Sequence, residues 1–323
     1  MGSPDAQHGR QLDGMGSGLS STSKVVILGT PRCSPRRDVD VEFTFVQVGI
    51  RDGALDTAGN CGNMSSIVGP AAWDMGLVPF SSSSSAVELG QEGRTWATVR
   101  VLNTNTNKLM LSTFRVEGSP LMYHPYGDYE MDGVPGKQSE ITMSFLDPGG
   151  AKTGKALPTG NPVDQLTLPD GSTVAASLVD VGNPGVFVAA SSLGLDAALT
   201  PQVIEANPAL KTLLEQIRRA GASKMGLDPT TQSVPKIVLL LPPTAKRSPQ
   251  TDIQCLALSM GQAHKAVPLT LALCLGAASQ MPGTVASDLM GGKAKDVVRI
   301  GHPSGTVDVG TTVKGGRLRL RGC

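Results

Sequence analysis

Apolar runs in this chain are short, and most of them end on glycine, proline or asparagine. Glycine (39) and proline (23) together make up about a fifth of the 323 residues. Glycine admits positive φ, and proline fixes φ and removes a donor, so this punctuation cuts a chain into turns and short strands. Val39, Val41, Phe43 and Phe45 alternate with Asp40, Glu42 and Thr44, the period-two pattern of a half-buried strand. Ile141, Met143 and Phe145 alternate in the same way until Asp147-Pro148-Gly149-Gly150 stops them. Residues 95–101 and 109–116 flank Asn103-Thr104-Asn105-Thr106-Asn107, turn formers that predict a hairpin. Residues 25–28 and 236–241 read as buried strands, and 177–181 and 186–190 as strands around Gly182-Asn183-Pro184-Gly185. Residues 297–309 return to strand, with a turn at His302-Pro303-Ser304-Gly305.

Helical signals are fewer. Residues 64–76 suit a helix in which Pro70 must sit early or make a bend. Asn207 as cap, Pro208 in the first turn and Leu210, Leu213, Leu214 and Ile217 as an apolar stripe predict another, with Gly221 as its stop. Residues 261–280 read as a third, apolar and again with an early proline, Pro268. Both halves thus carry strands, a glycine-led apolar helix and more strands. This predicts two α+β domains divided within residues 181–197.

Lys and Arg number 28 against 27 Asp and Glu, a net charge of +1. That balance argues against a nucleic-acid backbone or an anionic membrane as partner, since both need a basic excess. With 40% hydrophobic residues the chain can bury a core. No run approaches the roughly 18 apolar residues of a membrane helix, and the first residues lack a signal-peptide apolar segment. Cys33, Cys61, Cys255, Cys274 and Cys323 are odd in number and form no CxxC pair, which reads as free thiols in a reducing cytoplasm. Gly149 and Gly154-Lys155 have P-loop spacing, but Ala156 stands where Ser or Thr would hold Mg²⁺. Residues 81–85 are a serine-rich loop, and Arg317, Arg319 and Arg321 read as a solvated strand edge.

Gly59-Asn60-Cys61-Gly62-Asn63 at a helix start would gather backbone N–H groups and side-chain amides toward one spot, as carboxylate or phosphate binding requires. A cysteine there would have its thiolate favoured. The alternative is a structural turn with an inert thiol. Lys24, abutting the apolar residues 25–28, is either a general base deprived of hydration or a solvated strand-end lysine. His302-Pro303-Ser304-Gly305 is a plain turn or an anion-binding loop. Ser259-Met260-Gly261-Gln262-Ala263-His264, at the expected start of the apolar helix, is a second anion site or a helix-end segment.

Taken in order, these motifs resemble the PrpF family, isomerases related to the diaminopimelate epimerase and proline racemase fold. The likeness runs through Gln11-Leu12-Asp13-Gly14-Met15-Gly16, Leu19 to Val25, Val46-Gln47-Val48-Gly49, Gly59 to Met64 and Val68-Gly69-Pro70. It continues through Asp132-Gly133-Val134-Pro135-Gly136, Leu157 to Asn161, Val181 to Pro184, Ser259 to Gly261 and Gly301 to Gly305. Against the family pattern both ends look shortened, because the chain begins inside a later family motif.

The resemblance implies two pseudo-symmetric epimerase-like domains, each a curved sheet or barrel around a central helix, with an active site in the cleft between them. The expected bounds are 1–182 and 183–300, with 301–323 returning to the first domain. It implies cofactor-independent, metal-free isomerisation, cis-trans or by double-bond shift, of an unsaturated di- or tricarboxylate such as aconitate, methylaconitate or methylitaconate. Lys24 and Cys61 are the expected proton-transfer residues. Ser23, Asn60, Gly62, Asn63, Met64, Ser259, Met260, Gly261, His302, Ser304 and Gly305 are the expected substrate contacts. A small polycarboxylate is the expected partner, with neither nucleic acid nor membrane, and a homodimer is the candidate assembly. Two rivals are a paralogue that binds carboxylates without turnover and a hydrolase using Cys61.

Overall fold

The computed structural model describes all residues except 6, 9, 21, 32–37, 79–85, 91–92, 244–249, 315–316 and 323. Cys33, Cys323, Ser21 and the serine-rich loop 81–85 therefore lie outside the described residues, as do the side chains of Arg317 and Arg319. The chain divides into two compact units, Met1–His124 and Pro125–Cys323. The boundary expected after residue 182 falls at a hairpin turn inside the second unit.

The first unit contains β1 (Ser3–Asp5), β2 (Arg10–Leu12), β3 (Lys24–Gly29), β4 (Val41–Val48), β5 (Leu55–Asp56), α1 (Gly62–Ser66), α2 (Val68–Asp74), β6 (Ala86–Leu89), β7 (Thr95–Asn103), β8 (Lys108–Glu117) and β9 (Met122–Tyr123). β1 and β2 pair with each other. β4 is central: β3 runs antiparallel along one edge, while β7 (parallel) and β5 (antiparallel) share the other. The alternation in β4 holds, with Val41, Phe43 and Phe45 buried. The expected hairpin forms as β7 and β8, from Thr95↔Val116 to Asn103↔Lys108.

Two expectations are corrected in this unit. β3 is a strand but not a buried one: Val25 is 37% and Ile27 58% exposed. Residues 64–76 form two short helices that meet at Ile67, with Pro70 in the first turn of α2, where its missing N–H costs nothing. α2 lies so close to β8 that a Cβ on Gly69 would come within 2.4 Å of Ser112 Oγ. Trp73 stacks edge-on against Phe114.

The second unit contains β10 (Ile141–Leu146), β11 (Asp164–Thr167), β12 (Thr173–Val181), β13 (Asn183–Ala189), α3 (Pro201–Glu205), α4 (Pro208–Lys224), β14 (Lys236–Leu241), β15 (Ile253–Ser259), β16 (Gln262–Ala263), α5 (Leu269–Ser279), α6 (Val285–Leu289), β17 (Val297–His302), β18 (Gly305–Lys314) and β19 (Arg317–Gly322). Its strands pair in the order β11-β12-β13-β14-β15-β17-β18-β19-β10, antiparallel except for β13–β14 and β15–β17. α5 is apolar on every side, as a helix buried all round must be, and packs against β12, β13, β18 and β19. Gly276 and Gly322 permit that packing, since a Cβ on either would come within 2.6 Å of Val309 or 2.7 Å of Leu269.

Three further readings change here. α5 begins at Leu269 and not at Gly261, because Gln262 and Ala263 are drawn into a strand pair with β15. Gly221 does not stop α4, which runs on to Lys224. It is glycine because its Cβ would come within 2.6 Å of Val186 on the facing strand. β19 is paired on both sides, with β18 and β10, so it is not an edge. The Asn207 cap stands as read, its Oδ1 accepting from the Leu210 N–H at 3.0 Å.

Candidate active site

The candidate residues of the first unit gather around Gln47. Lys24 opens β3 opposite Gln47, and Asp56 of β5 faces Gln47 from the other edge of β4. Adjacent strands lie about 4.8 Å apart, so this register holds Lys24 near the chain leaving β5. That chain reaches Cys61, which sits in extended conformation at the cap of α1 (φ −115°, ψ 108°). Lys24 Nζ donates to Cys61 Sγ at 3.4 Å, and both residues are half-buried. An amine and a thiol in contact, each partly open to solvent, can exchange a proton.

The flanks of the pair are fixed by buried amides. Asn60 Oδ1 accepts from Ser65 Oγ (2.9 Å) and from Asn103 Nδ2 (3.0 Å). Asn60 is therefore turned into the protein at its oxygen. The Ser65 N–H bonds to the Cys61 carbonyl at 2.9 Å, the first intrahelical bond of α1. The N–H groups of Gly62, Asn63 and Met64 come before it and have no acceptor within the helix. The Ser23 hydroxyl is fully buried, with Gln11 Oε1 at 2.5 Å and the Leu19 carbonyl at 2.9 Å as its acceptors. Gln47 Nε2 donates to the carbonyls of Ser20 and Ser23, fixing the loop that delivers Lys24.

In the second unit the turn 302–305 connects β17 to β18 and is gripped by the motif 132–136. Asp132 Oδ2 accepts from the Thr306 N–H (2.7 Å) and hydroxyl (3.1 Å). Gly305 has φ +146°, and a Cβ on it would come within 2.3 Å of the Asp132 carboxylate. Ser304 Oγ donates to the Lys265 carbonyl at 2.7 Å, and its N–H to His302 Nδ1 at 3.3 Å. Burial pushes the His302 imidazole below its ordinary range, against the opposing pull of Asp132 and of a backbone hydrogen bond with Thr306. Burial thus favours the neutral imidazole.

Ser259, Met260 and Gly261 do not start a helix. They form the tight turn between β15 and β16, with Met260 (φ 52°) and Gly261 (φ 69°) both left-handed, as a type I′ hairpin turn requires. Glu205 Oε1 accepts from the Ala263 N–H at 2.7 Å and pins this turn to α3.

The structure brings Lys24 to Cys61, and His302 to Ser304 and Gly305. Sequence reasoning missed the residues that hold these groups: Gln47, Ser65, Asn103 and Asp132. Gln47 and Asp132 lay inside quoted motifs, but nothing local distinguished them from ordinary polar strand and turn residues.

The family model described as PrpF protein matches residues 1–321. The chain belongs to the PrpF family. It is 36% identical to a 3-methylitaconate isomerase of Eubacterium barkeri over 98% of this chain and 82% of that one. It is 36% identical to a 2-methyl-aconitate isomerase of Cupriavidus necator, over 96% and 79% of the two chains. A 4-oxalomesaconate tautomerase of Pseudomonas putida is 33% identical over 100% of this chain and 82% of its own length. The crystal structure of a methylitaconate-delta-isomerase superposes on this PrpF chain with a TM-score of 0.74, at 36% identity, covering 99% of this chain and 83% of that one. The α+β fold is therefore that of a PrpF isomerase. Among the described residues no helix is long and apolar enough to cross a membrane.

Proposed function

We propose that this PrpF protein is a cofactor-independent isomerase of an unsaturated di- or tricarboxylate, of the class to which methylitaconate and methylaconitate belong, and that Lys24 and Cys61 carry its proton transfers. The observation that supports the reading is the 3.4 Å contact between Lys24 Nζ and Cys61 Sγ in a chain 36% identical to two such isomerases.

A double-bond shift removes a proton from the carbon next to the C=C–COO⁻ unit. The electron pair left behind moves through the unit, so that the carboxylate carries enolate-like charge. A proton then returns at the other end of the unit, and no atom is gained or lost. Lys24 takes the first proton, and Cys61 gives the second. One net proton transfer back between the two groups, along their contact or through solvent, then resets the pair.

One carboxylate binds at the first-turn amides of Gly62, Asn63 and Met64, with Asn60 as the anchor of that loop. The turns at Ser259, Met260 and Gly261 and at His302, Ser304 and Gly305 are the groups assigned to a second carboxylate. The developing charge is stabilised by N–H groups fixed before the reaction begins. Because the Ser304 hydroxyl already donates to the Lys265 carbonyl and the Ser304 N–H to His302 Nδ1, neither of these two protons is offered to a substrate.

The test is proton NMR in D₂O with a panel of methylitaconate, methylaconitate and aconitate. Substrate should exchange its allylic proton and isomerise, and Lys24→Ala should lower kcat by about 100-fold or more. Wild-type-like exchange in Lys24→Ala would remove the lysine from the mechanism. Tight binding of every acid with no exchange would establish the non-catalytic paralogue instead, and iodoacetamide-sensitive ester cleavage the hydrolase.

A further inference from the structure

The asparagine-rich loop between β7 and β8 first reads as a plain hairpin turn. Its side chains do something else. The parallel pairing of β4 with β7 ends at Phe43↔Asn103. Two residues further along β4, the side-chain amide of Asn105 takes over the ladder. Its Oδ1 accepts from the Phe45 N–H at 2.8 Å, and its Nδ2 donates to the Phe45 carbonyl at 2.8 Å. Two residues further again, β5 pairs with β4 at Gln47↔Asp56. One side chain thus fills the gap between two strands on the same edge of β4.

Asn105 Nδ2 also donates to the Thr57 carbonyl at 2.8 Å, at the start of the segment that runs from β5 to Cys61. The other end of that segment is held by the same loop. Asn103, fully buried, donates from Nδ2 to Asn60 Oδ1 at 3.0 Å. Its own Oδ1 accepts from the Thr106 N–H (2.9 Å) and hydroxyl (3.1 Å), which fixes its orientation. Thr104 bonds through its N–H and its hydroxyl to the Phe43 carbonyl, securing the loop to β4. Residues 57 and 60 are therefore clamped from one loop, on the strand whose opposite edge carries Lys24.

We infer that the loop 103–107 is a positioning device for the Lys24–Cys61 pair, with Asn105 and Asn103 as positioning residues that set the distance from sulfur to amine. The inference rests on the proposed role of that pair, but its test does not require turnover.

The readout is the rate of iodoacetamide alkylation at Cys61, followed peptide by peptide by mass spectrometry. Cys255 and Cys274 are buried, and burial pushes the Cys255 thiol up to about 12 and the Cys274 thiol up as well, so their labelling is slow and separable. Lys24→Ala calibrates the loss of the contact. Asn105→Ala should move the Cys61 rate in the same direction as Lys24→Ala, by about threefold or more, and should add nothing further in the Lys24→Ala background. Thr98→Val is the control, because it removes a cross-strand hydroxyl contact with Thr113 in the same hairpin but away from the loop. Asn105→Asp, which keeps the acceptor and loses the donor to Thr57, should behave like Asn105→Ala. An Asn105→Ala rate equal to that of Thr98→Val, or effects of Asn105→Ala and Lys24→Ala that simply multiply, overturns the inference. Should the Cys61 effect appear while no polycarboxylate isomerises, the positioning stands and the proposed substrate class falls.

Discussion

Gly305→Ala tests how tightly the turn 302–305 is built. The backbone there has φ +146°, a region that side chains rarely enter, and forcing an alanine into it costs about 1–3 kcal/mol. The new Cβ would also lie 2.3–2.5 Å from Oδ2, Cγ and Cβ of Asp132, so the whole side chain must withdraw. Withdrawal breaks the bonds from the Thr306 N–H and hydroxyl to Asp132 Oδ2. Hydrogen bonds to a charged group contribute about 1.5–3 kcal/mol, and Asp132 is exposed, so about 1 kcal/mol is the fair share here. The expected loss is about 2–4 kcal/mol, measured by urea denaturation followed by far-UV circular dichroism. Asp132→Gly removes both the obstacle and the hydrogen bonds. In that background Gly305→Ala should cost only the φ term, roughly 1 kcal/mol less than in the wild type. Equal costs in the two backgrounds would refute the idea that the carboxylate is seated on the glycine. A cost below about 0.5 kcal/mol in the wild type would refute the backbone argument as well.

Two other perturbations follow from the same contacts. Asn207→Ala removes the cap of α4 and should cost about 1 kcal/mol in urea while leaving isomerisation rates unchanged; a rate loss would mean that α4 reaches the chemistry. His302 has its folded value pushed below the unfolded one by burial, so its contribution to stability is fully present above about pH 6.5 and is lost as pH falls through the folded value. Tm should therefore drop more between pH 8 and pH 5 in the wild type than in His302→Gln, and parallel drops would show that the half-buried imidazole is not responsible.

The strands were legible because their signal is local. Period-two alternation in β4 and turn formers between β7 and β8 act within a few residues, and both elements stand where the pattern put them. The misreadings share a different cause. Gly221 and Gly261 look alike in a sequence, yet one is glycine because a neighbouring strand presses on it and the other because a hairpin turn needs positive φ. Ile67 breaks a helix that sequence reads as continuous, and Pro70, which has no N–H to carry the helical ladder onward, is the one local mark of that break. The site was half legible for the same reason. Lys24 and Cys61 sit in recognisable motifs, but Asn103 and Asp132 act across 43 and 174 residues of chain, on Asn60 and Thr306, and no window contains both ends of either contact.

The pairing of β10 with β19 sets a condition on how this protein is made. Met143 lies opposite Gly322, so β10 leaves the ribosome about 179 residues before the strand that covers it. At about 5–20 residues per second this is a wait of roughly 10–35 s. Throughout it Met143 and Phe145, both fully buried in the finished molecule, lack the strand that later completes their sheet. Vectorial synthesis thus exposes an apolar strand edge of the second unit to other nascent chains on the same message, and the risk is greatest when ribosomes are closely spaced. Codon choice across residues 147–316 governs the length of that exposure, so synonymous changes that slow this stretch should raise aggregation during expression without altering a single contact in the folded protein.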